Sequence, residues 1–400
     1  MVSSQGLAGA GFRPGAALRK WRPSGRLCHI EIPVKTLIDT ATIQMPIPSE
    51  FITFVLGAGS SYEARMPTGN ELKGHIASSL AFKVDDFRRM AGGDDQIRES
   101  LYALGQRPGS THLVNDYYQA ARRICAAMTQ APSIDNFIDS HRSDPAIAAV
   151  GKLAIASAIL TAERNSTLYV SPDNIYNTVN FQRLADTWFN AFFQLVCLNA
   201  QEDDLPGRLS RVRIVTFNYD RTLEHFLYHS IQNYYGTKPE RAAEILSHLS
   251  IFHPYGKVGA LPWQSAGTAV PFGGGISSST LTQVAETLRT FTEGTSETES
   301  QIEQIRNSVF EAETLVFLGF AFHELNLRLL FGSLREVPVR HSKQVFGTAM
   351  GLSESNKKAI AADLAVLGRF DSTQITLRRE LSASQLLPEY SRSLRVPNAA

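Results

Sequence analysis

Apolar residues fall along this chain in two kinds of run. Short, nearly unbroken runs rich in aromatic and β-branched residues, Phe51–Leu56, Val212–Phe217, Thr314–Leu318 and Gln344–Thr348, predict strands buried on both faces. Ser250–His253 reads as a further strand edge. Elsewhere the period is helical. Leu113, Tyr117, Ala120, Ala121 and Ile124 share one face, as do Leu184, Trp188, Phe192 and Leu195. Leu223, Phe226, Leu227, Ile231 and Tyr234 line another, on a helix that Gly236 ends. Ser133 stands just before Ile134, Phe137 and Ile138, in position to cap a short helix.

The order of these runs predicts an α/β fold: a Rossmann-like parallel sheet with helices on both faces and a large helical insertion. Residues 45–70 and 206–400 are expected to form the sheet domain, with 71–205 as a helical cap. Residues 260–305, rich in Gly, Ser, Thr and Glu, are expected to hold an exposed loop and a polar helix. Residues 1–44 read as a disordered arm or an extension from a misassigned start, with Met45 as the preferred true start; a transit peptide is the alternative.

Composition narrows the class. With 43% hydrophobic and 19% charged residues, the 400-residue chain can bury a large core. Cys28, Cys125 and Cys197 are too few and too scattered for a disulfide framework or a zinc site, so a reducing cytoplasmic location is expected. The longest apolar stretch, Ala146–Leu160, is interrupted by Gly151 and Lys152 and falls short of the roughly 20 residues that span a bilayer, so no membrane contact is expected. Net charge is +1, but Arg13, Arg19, Lys20, Arg22 and Arg26 lie in the first thirty residues without an acid. The remainder is mildly acidic, and no direct nucleic-acid binding is expected.

Candidate chemistry gathers where three strands end. FITFVLGAGSS stops in small residues at Gly57, Ala58, Gly59 and Ser60, RIVTFNYD carries Asn218 and Asp220, and IFHPYGK carries His253 and Gly256. Open α/β sheets collect their ligands past such ends. The glycine loop is not a full dinucleotide fingerprint, because Tyr62 occupies its third glycine position and no acid lies some 20 residues on. Ordinary hydride transfer is therefore disfavoured. On its own the loop reads equally as a ligand contact and as a structural turn.

A GAGxS loop, then Asn-x-Asp after a strand, then a histidine and glycine at the next strand edge, resembles the sirtuin superfamily. TFNYD, HPYGK and the late FLGFAFHELN look like the sirtuin-like NAD-hydrolysing domains of bacterial immune systems. The resemblance covers residues 51–70 and 211–260 well and 314–350 moderately; no motif covers the helical block. Sirtuin deacylases carry a four-cysteine zinc ribbon after the histidine, whereas residues 257–313 contain no cysteine. Their GIPDFR segment is replaced here by Met66-Pro67-Thr68-Gly69-Asn70. These departures imply cleavage of NAD itself, with water as acceptor and no metal.

In that reading Asn218 orients water and the ribose hydroxyls, and His253 takes a proton. Gly57, Ala58, Gly59 and Ser60 hold the pyrophosphate, and Asp220 bonds ribose or braces the loop. The resemblance adds Gly319 and Phe320 over the adenosine, with Asn326 beside them, and Thr68 and Gly256 complete the NAD-contacting set. Bland alternatives stand beside these roles: Asn218 as a strand-ending turn residue, Asp220 as a helix cap, His253 as a turn histidine. His225 and His229 read as a solvated helix face, His323–Glu324 as a surface pair, and Asp135 and His141 as helix and core, with contact to the pocket the remote alternative. A constantly active NADase would be lethal, so gating is expected through homo-oligomerisation or a separate sensor, ATPase or guide-protein partner. The rival functions are an NAD-dependent protein deacylase or ADP-ribosyltransferase, and a non-catalytic NAD or ADP-ribose sensing module.

Overall fold

The computed structural model describes residues 51–84, 90–171, 173, 175, 178–264, 269–275, 277–289, 299–332 and 343–396. The expectations for residues 1–44 and Met45, and part of the loop expected within 260–305, lie outside the described residues. Pro48–Ala400 form one compact unit, in which no separate cap domain is distinguished.

The apolar runs form the strands β1 (Ile52–Leu56), β4 (Val212–Thr216), β5 (Ser250–Phe252), β6 (Thr314–Leu318) and β7 (Gln344–Thr348). Two short strands, β2 (Lys83–Val84) and β3 (Met90–Ala91), pair antiparallel apart from the main sheet. A sixth main strand, β8 (Ile375–Arg378), was not among the predicted elements; it is a half-buried edge strand. The sheet order is β5-β4-β1-β6-β7-β8, with every pair parallel. The chain thus starts in the middle, builds outward through β4 and β5, then crosses back over β1 to build β6, β7 and β8. That is the doubly wound Rossmann order, and its direction reverses between β1 and β6.

Register fixes what emerges there. Leu56 pairs with Thr216 on one side and Leu318 on the other. The segments beginning at Gly57, Phe217 and Gly319 therefore leave the sheet at one level, at the crevice where open α/β sheets take ligands.

Both faces of β1 are covered, which is why it reads as a continuous apolar run. On one face Phe54 meets Phe192 of helix Trp188–Cys197 edge-on at 5.1 Å. On the other, Thr53 Oγ1 donates to the Ser308 carbonyl of helix Glu299–Glu311 at 2.7 Å. Phe189 and Phe193 also pack on Phe226 of helix Thr222–Tyr235, which ends at Gly236 with φ 69° as its sequence predicts.

Helices Asp95–Gln106, Val114–Ala127 and Pro145–Asn165 pack together, and helix Ser278–Thr287 joins them from later in the chain. Leu113, expected on the buried face of the second helix, sits just before it and is exposed. The apolar helix is longer than its sequence suggests: Pro145–Asn165, 21 residues, has the length and composition of a membrane span, yet 67% of its apolar window is buried inside the fold. Its neighbours supply the apolar surroundings that a bilayer would otherwise provide.

Candidate functional site

Gly57 follows β1 directly, and the chain turns at once into one helical turn, Ala58–Ser61. The turn is held tightly. Gly57 N donates to Leu318 O at 3.1 Å, Gly59 N to Gly319 O at 3.0 Å and Ser60 N to Gly57 O at 2.8 Å. Gly319 adopts φ 56°, and a Cβ there would lie 2.0 Å from Ser60 N, so only glycine lets the two strand ends meet. Of the backbone donors a pyrophosphate would require, Gly57 N and Gly59 N are thus engaged by the end of β6, and Ser60 N by Gly57 itself. Phe320 is buried among Phe217, Phe317 and Phe322 and forms part of an aromatic wall.

Asn218 leaves β4 beside this turn and is almost fully buried. Its Nδ2 donates to Gly57 O at 3.1 Å and to Ser61 Oγ at 3.0 Å, with Ser60 Oγ at 3.3 Å. Its carbonyl faces His253 Nδ1 at 3.2 Å, and the other ring nitrogen, Nε2, lies 3.0 Å from Glu224 Oε1. Three of the sequence-predicted elements, the glycine turn, Asn218 and His253, are therefore one hydrogen-bonded cluster. Glu224 extends it, because Lys257 Nζ sits 3.0 Å from the same oxygen. Burial alone would push the Glu224 carboxyl up, but Lys257 and His253 outweigh it and hold the group well below the usual carboxylate range.

Both flanks of the His253 ring are acceptors. A neutral imidazole has one N–H and can satisfy only one of them, whereas a ring protonated at both nitrogens satisfies both. One ring nitrogen is oriented by a carboxylate, as in a catalytic dyad, but the other faces the Asn218 backbone carbonyl and must leave it to meet a substrate or water.

Asp220 does both things its position allows. Its Oδ1 accepts from Thr222 N at 3.0 Å and Thr222 Oγ1 at 2.6 Å, at the start of helix Thr222–Tyr235, and from Ser61 Oγ at 3.2 Å. It braces the glycine turn from behind. Burial pushes its carboxyl up, with the Thr222 and Ser61 bonds opposing.

The Thr68 side chain and Glu71 form the capping box of helix Gly69–Ser79. Gly256 turns against the Thr287 carbonyl, where a Cβ would lie 2.5 Å away. Asn326 accepts from the Tyr255 hydroxyl at 2.6 Å.

Several residues here carried little or no sequence signal. Asp135, from the helical block, accepts a short hydrogen bond from Tyr219, the residue between Asn218 and Asp220, and burial pushes its carboxyl up. Asp135 thus sits against the Asn218–Asp220 segment as a buried partner of Tyr219, whereas His141 bonds the Phe137 carbonyl at the end of its own helix. His225 is not on a solvated face: it is buried, stacked on Phe272 at 4.1 Å, and burial lowers its pKa well below the ordinary histidine value. Trp188 Nε1 donates to Ser60 O at 2.6 Å, tying the sheet-covering helix to the glycine turn. Among the described residues no group of His, Cys, Asp and Glu is placed to hold a metal ion.

No protein-family model and no curated protein matches this chain. The geometry of the strand-end cluster is therefore what a functional reading rests on.

Proposed function

We propose that the chain is a sirtuin-like NAD glycohydrolase, cleaving NAD with water to nicotinamide, ADP-ribose and a proton. The observation that carries this reading is the convergence of the glycine turn, Asn218 and His253 at the reversal point of a Rossmann-ordered sheet. The glycosidic bond breaks with its electron pair leaving on nicotinamide, which departs neutral; the oxygen of water bonds the ribose carbon. Little covalent chemistry is asked of the protein beyond stabilising a cationic ribose and accepting the water's proton. His253 is the acceptor in this scheme, with Glu224 a positioning residue. The Asn218 side-chain oxygen serves the ribose hydroxyls or the water. In a cell such an activity fits a gated effector that depletes NAD in antiphage defence, acting in the cytoplasm as a homo-oligomer or with a sensing partner.

The test is incubation of the full chain with NAD and chromatographic separation of products. Asn218→Ala and His253→Ala are each expected to lower turnover by about 100-fold or more. An active parent matched by both variants overturns the assignment.

One observation favours a second reading, a module that senses NAD or ADP-ribose without cleaving it. Both His253 nitrogens are engaged within the protein, which leaves no ring nitrogen facing a water to take its proton. NAD-induced stabilisation with no product, at any enzyme concentration, would select it.

A further inference from the structure

The carbonyl that faces His253 Nδ1 belongs to the peptide joining Asn218 to Tyr219, a planar unit, so whatever fixes Tyr219 also sets that oxygen. Contacts from three parts of the chain fix Tyr219. Its own carbonyl accepts from Val258 N at 3.0 Å, its ring stacks on Tyr255 with centroids 6.4 Å apart, and its hydroxyl donates to Asp135 Oδ1. The first holds the peptide on the far side of Tyr219. Stacking leaves a ring able to slide within its own plane, whereas a hydrogen bond is directional and stops the slide.

Asp135 comes to this place on the helical block. It stands in the first turn of helix Ile134–Ser140, where Ser133 Oγ accepts from Asn136 N at 3.0 Å. Ile134 and Ile138 are buried and seat that helix against helix Pro145–Asn165 at Gly151, where a Cβ would lie 2.6 Å from the Ile138 side chain. The close approach gives the short helix a set position. Its aspartate is thereby carried to the strand end, out of water, and burial pushes the carboxyl up.

We propose that Asp135 is a positioning residue for His253: through Tyr219 it fixes the Asn218–Tyr219 peptide, whose oxygen faces the histidine ring. Asp135 touches no substrate in this scheme. A shift of the Tyr219 ring turns the peptide before it and moves that oxygen against His253 Nδ1, the nitrogen that has to leave it to meet water. The helical block is then part of the site, because one of its carboxyls sets the geometry of a residue 118 positions further along the chain. The consequence for turnover rests on the function proposed above; the geometric claim does not.

Ring ¹⁵N resonances of the histidine-labelled full chain, with His253 assigned by its loss in His253→Gln, read the position without NAD. Tyr219→Phe keeps the stacked ring and removes the hydroxyl; it and Asp135→Ala are each expected to shift the His253 nitrogen resonances. Asp135→Asn, whose amide oxygen still accepts, should hold them at the parent's values. So should Ile138→Val, which loosens the same helix without touching the hydrogen bond. Unmoved resonances in Tyr219→Phe overturn the proposal, as does an equal shift in Ile138→Val, since loosening of the helix would then suffice, or in Asp135→Asn, since charge and not the bond would then act. Where the chain turns NAD over, Tyr219→Phe is expected to lower kcat about ten-fold with KM little changed, and Asp135→Asn to stay near the parent. A parent-like kcat in Tyr219→Phe overturns the catalytic consequence. Failure of the resonance test leaves the NAD assay standing, and a chain that does not cleave NAD leaves the resonance test decisive.

Discussion

Arg221 and Glu224 lie three residues apart at the start of one helix, yet their ionic partnerships are built on different terms. Arg221 and Glu163 are sealed from water, at 0% exposure each. The guanidinium meets both carboxylate oxygens, at 3.1 and 2.5 Å, and Val270 O and Pro271 O take two more of its N–H groups, while Gly273 N and Arg221 N donate to the carboxylate. Four of the guanidinium's five N–H groups and both carboxylate oxygens are used within the protein, out of reach of solvent. Glu224 is equally buried, but its partners are a histidine and the partly exposed Lys257, and the histidine leads on to Asn218 and the glycine turn. A closed network holds the fold; the other opens toward a strand end, where the proposed function puts its chemistry.

Removing one partner of the sealed pair should give the largest effect. Glu163→Ala leaves Arg221 charged and buried, and is expected to cost about 3–5 kcal/mol in denaturant unfolding of the chain. Substituting methionine at both Glu163 and Arg221 should recover part of that loss, because the uncompensated charge is gone although the Val270 and Pro271 carbonyls lose their donor. A single substitution with no measurable cost would break the distinction between the two networks.

Glu224→Gln probes the other side. The amide keeps the shape but gives up the charge that faces His253 and Lys257, so a stability loss of about 1–3 kcal/mol is expected. Its diagnostic readout is kinetic: turnover of NAD should fall and its pH profile shift, with little change in KM, because Glu224 acts through His253 and touches no substrate. Lys257→Met removes the largest opposite charge facing the buried Glu224 and should cost about 1–3 kcal/mol. If Glu224→Gln changed stability alone, the open network would be as structural as the sealed one.

The two networks were also unequally legible. Strands β1, β6 and β7 announce themselves because strands buried on both faces are apolar throughout, and Asn218, Asp220 and His253 are marked by standing at the ends of such runs. Strand β8 escaped for the converse reason: Ile375-Thr376-Leu377-Arg378 is a short edge strand, whose mixed polarity does not distinguish it from a loop. Glu163 sits 58 residues before Arg221 inside a helix otherwise read as apolar, and Asp135 lies 84 residues before Tyr219. Such pairings arise from packing between elements, and no local period carries them. His225 was misread because a histidine on an amphipathic helix looks solvated until its neighbour, here Phe272 from a distant loop, is known.

That misreading supplies the smallest test, and one that separates the networks by pH. Burial holds His225 well below its ordinary pKa and also lowers His229, so the unfolded chain binds more protons than the folded one once the pH falls below about 6.5. Stability from this source is complete above that value and lost progressively on acidification below it. Glu224, also depressed, contributes stability present above its unfolded value of about 4.5, which drains away only as the pH falls below it. A melting series from pH 7.5 to 5.5 therefore samples the histidines while leaving the Glu224 contribution nearly whole. His225→Phe keeps the ring against Phe272 but removes the proton site and the bond to Leu168 O. Its melting point should be lower at neutral pH, from the orphaned carbonyl, yet fall less steeply toward pH 5.5 than that of the parent. The slope decides: parallel curves would mean that His225 charges freely in the folded chain, and that its stacking does not exclude water.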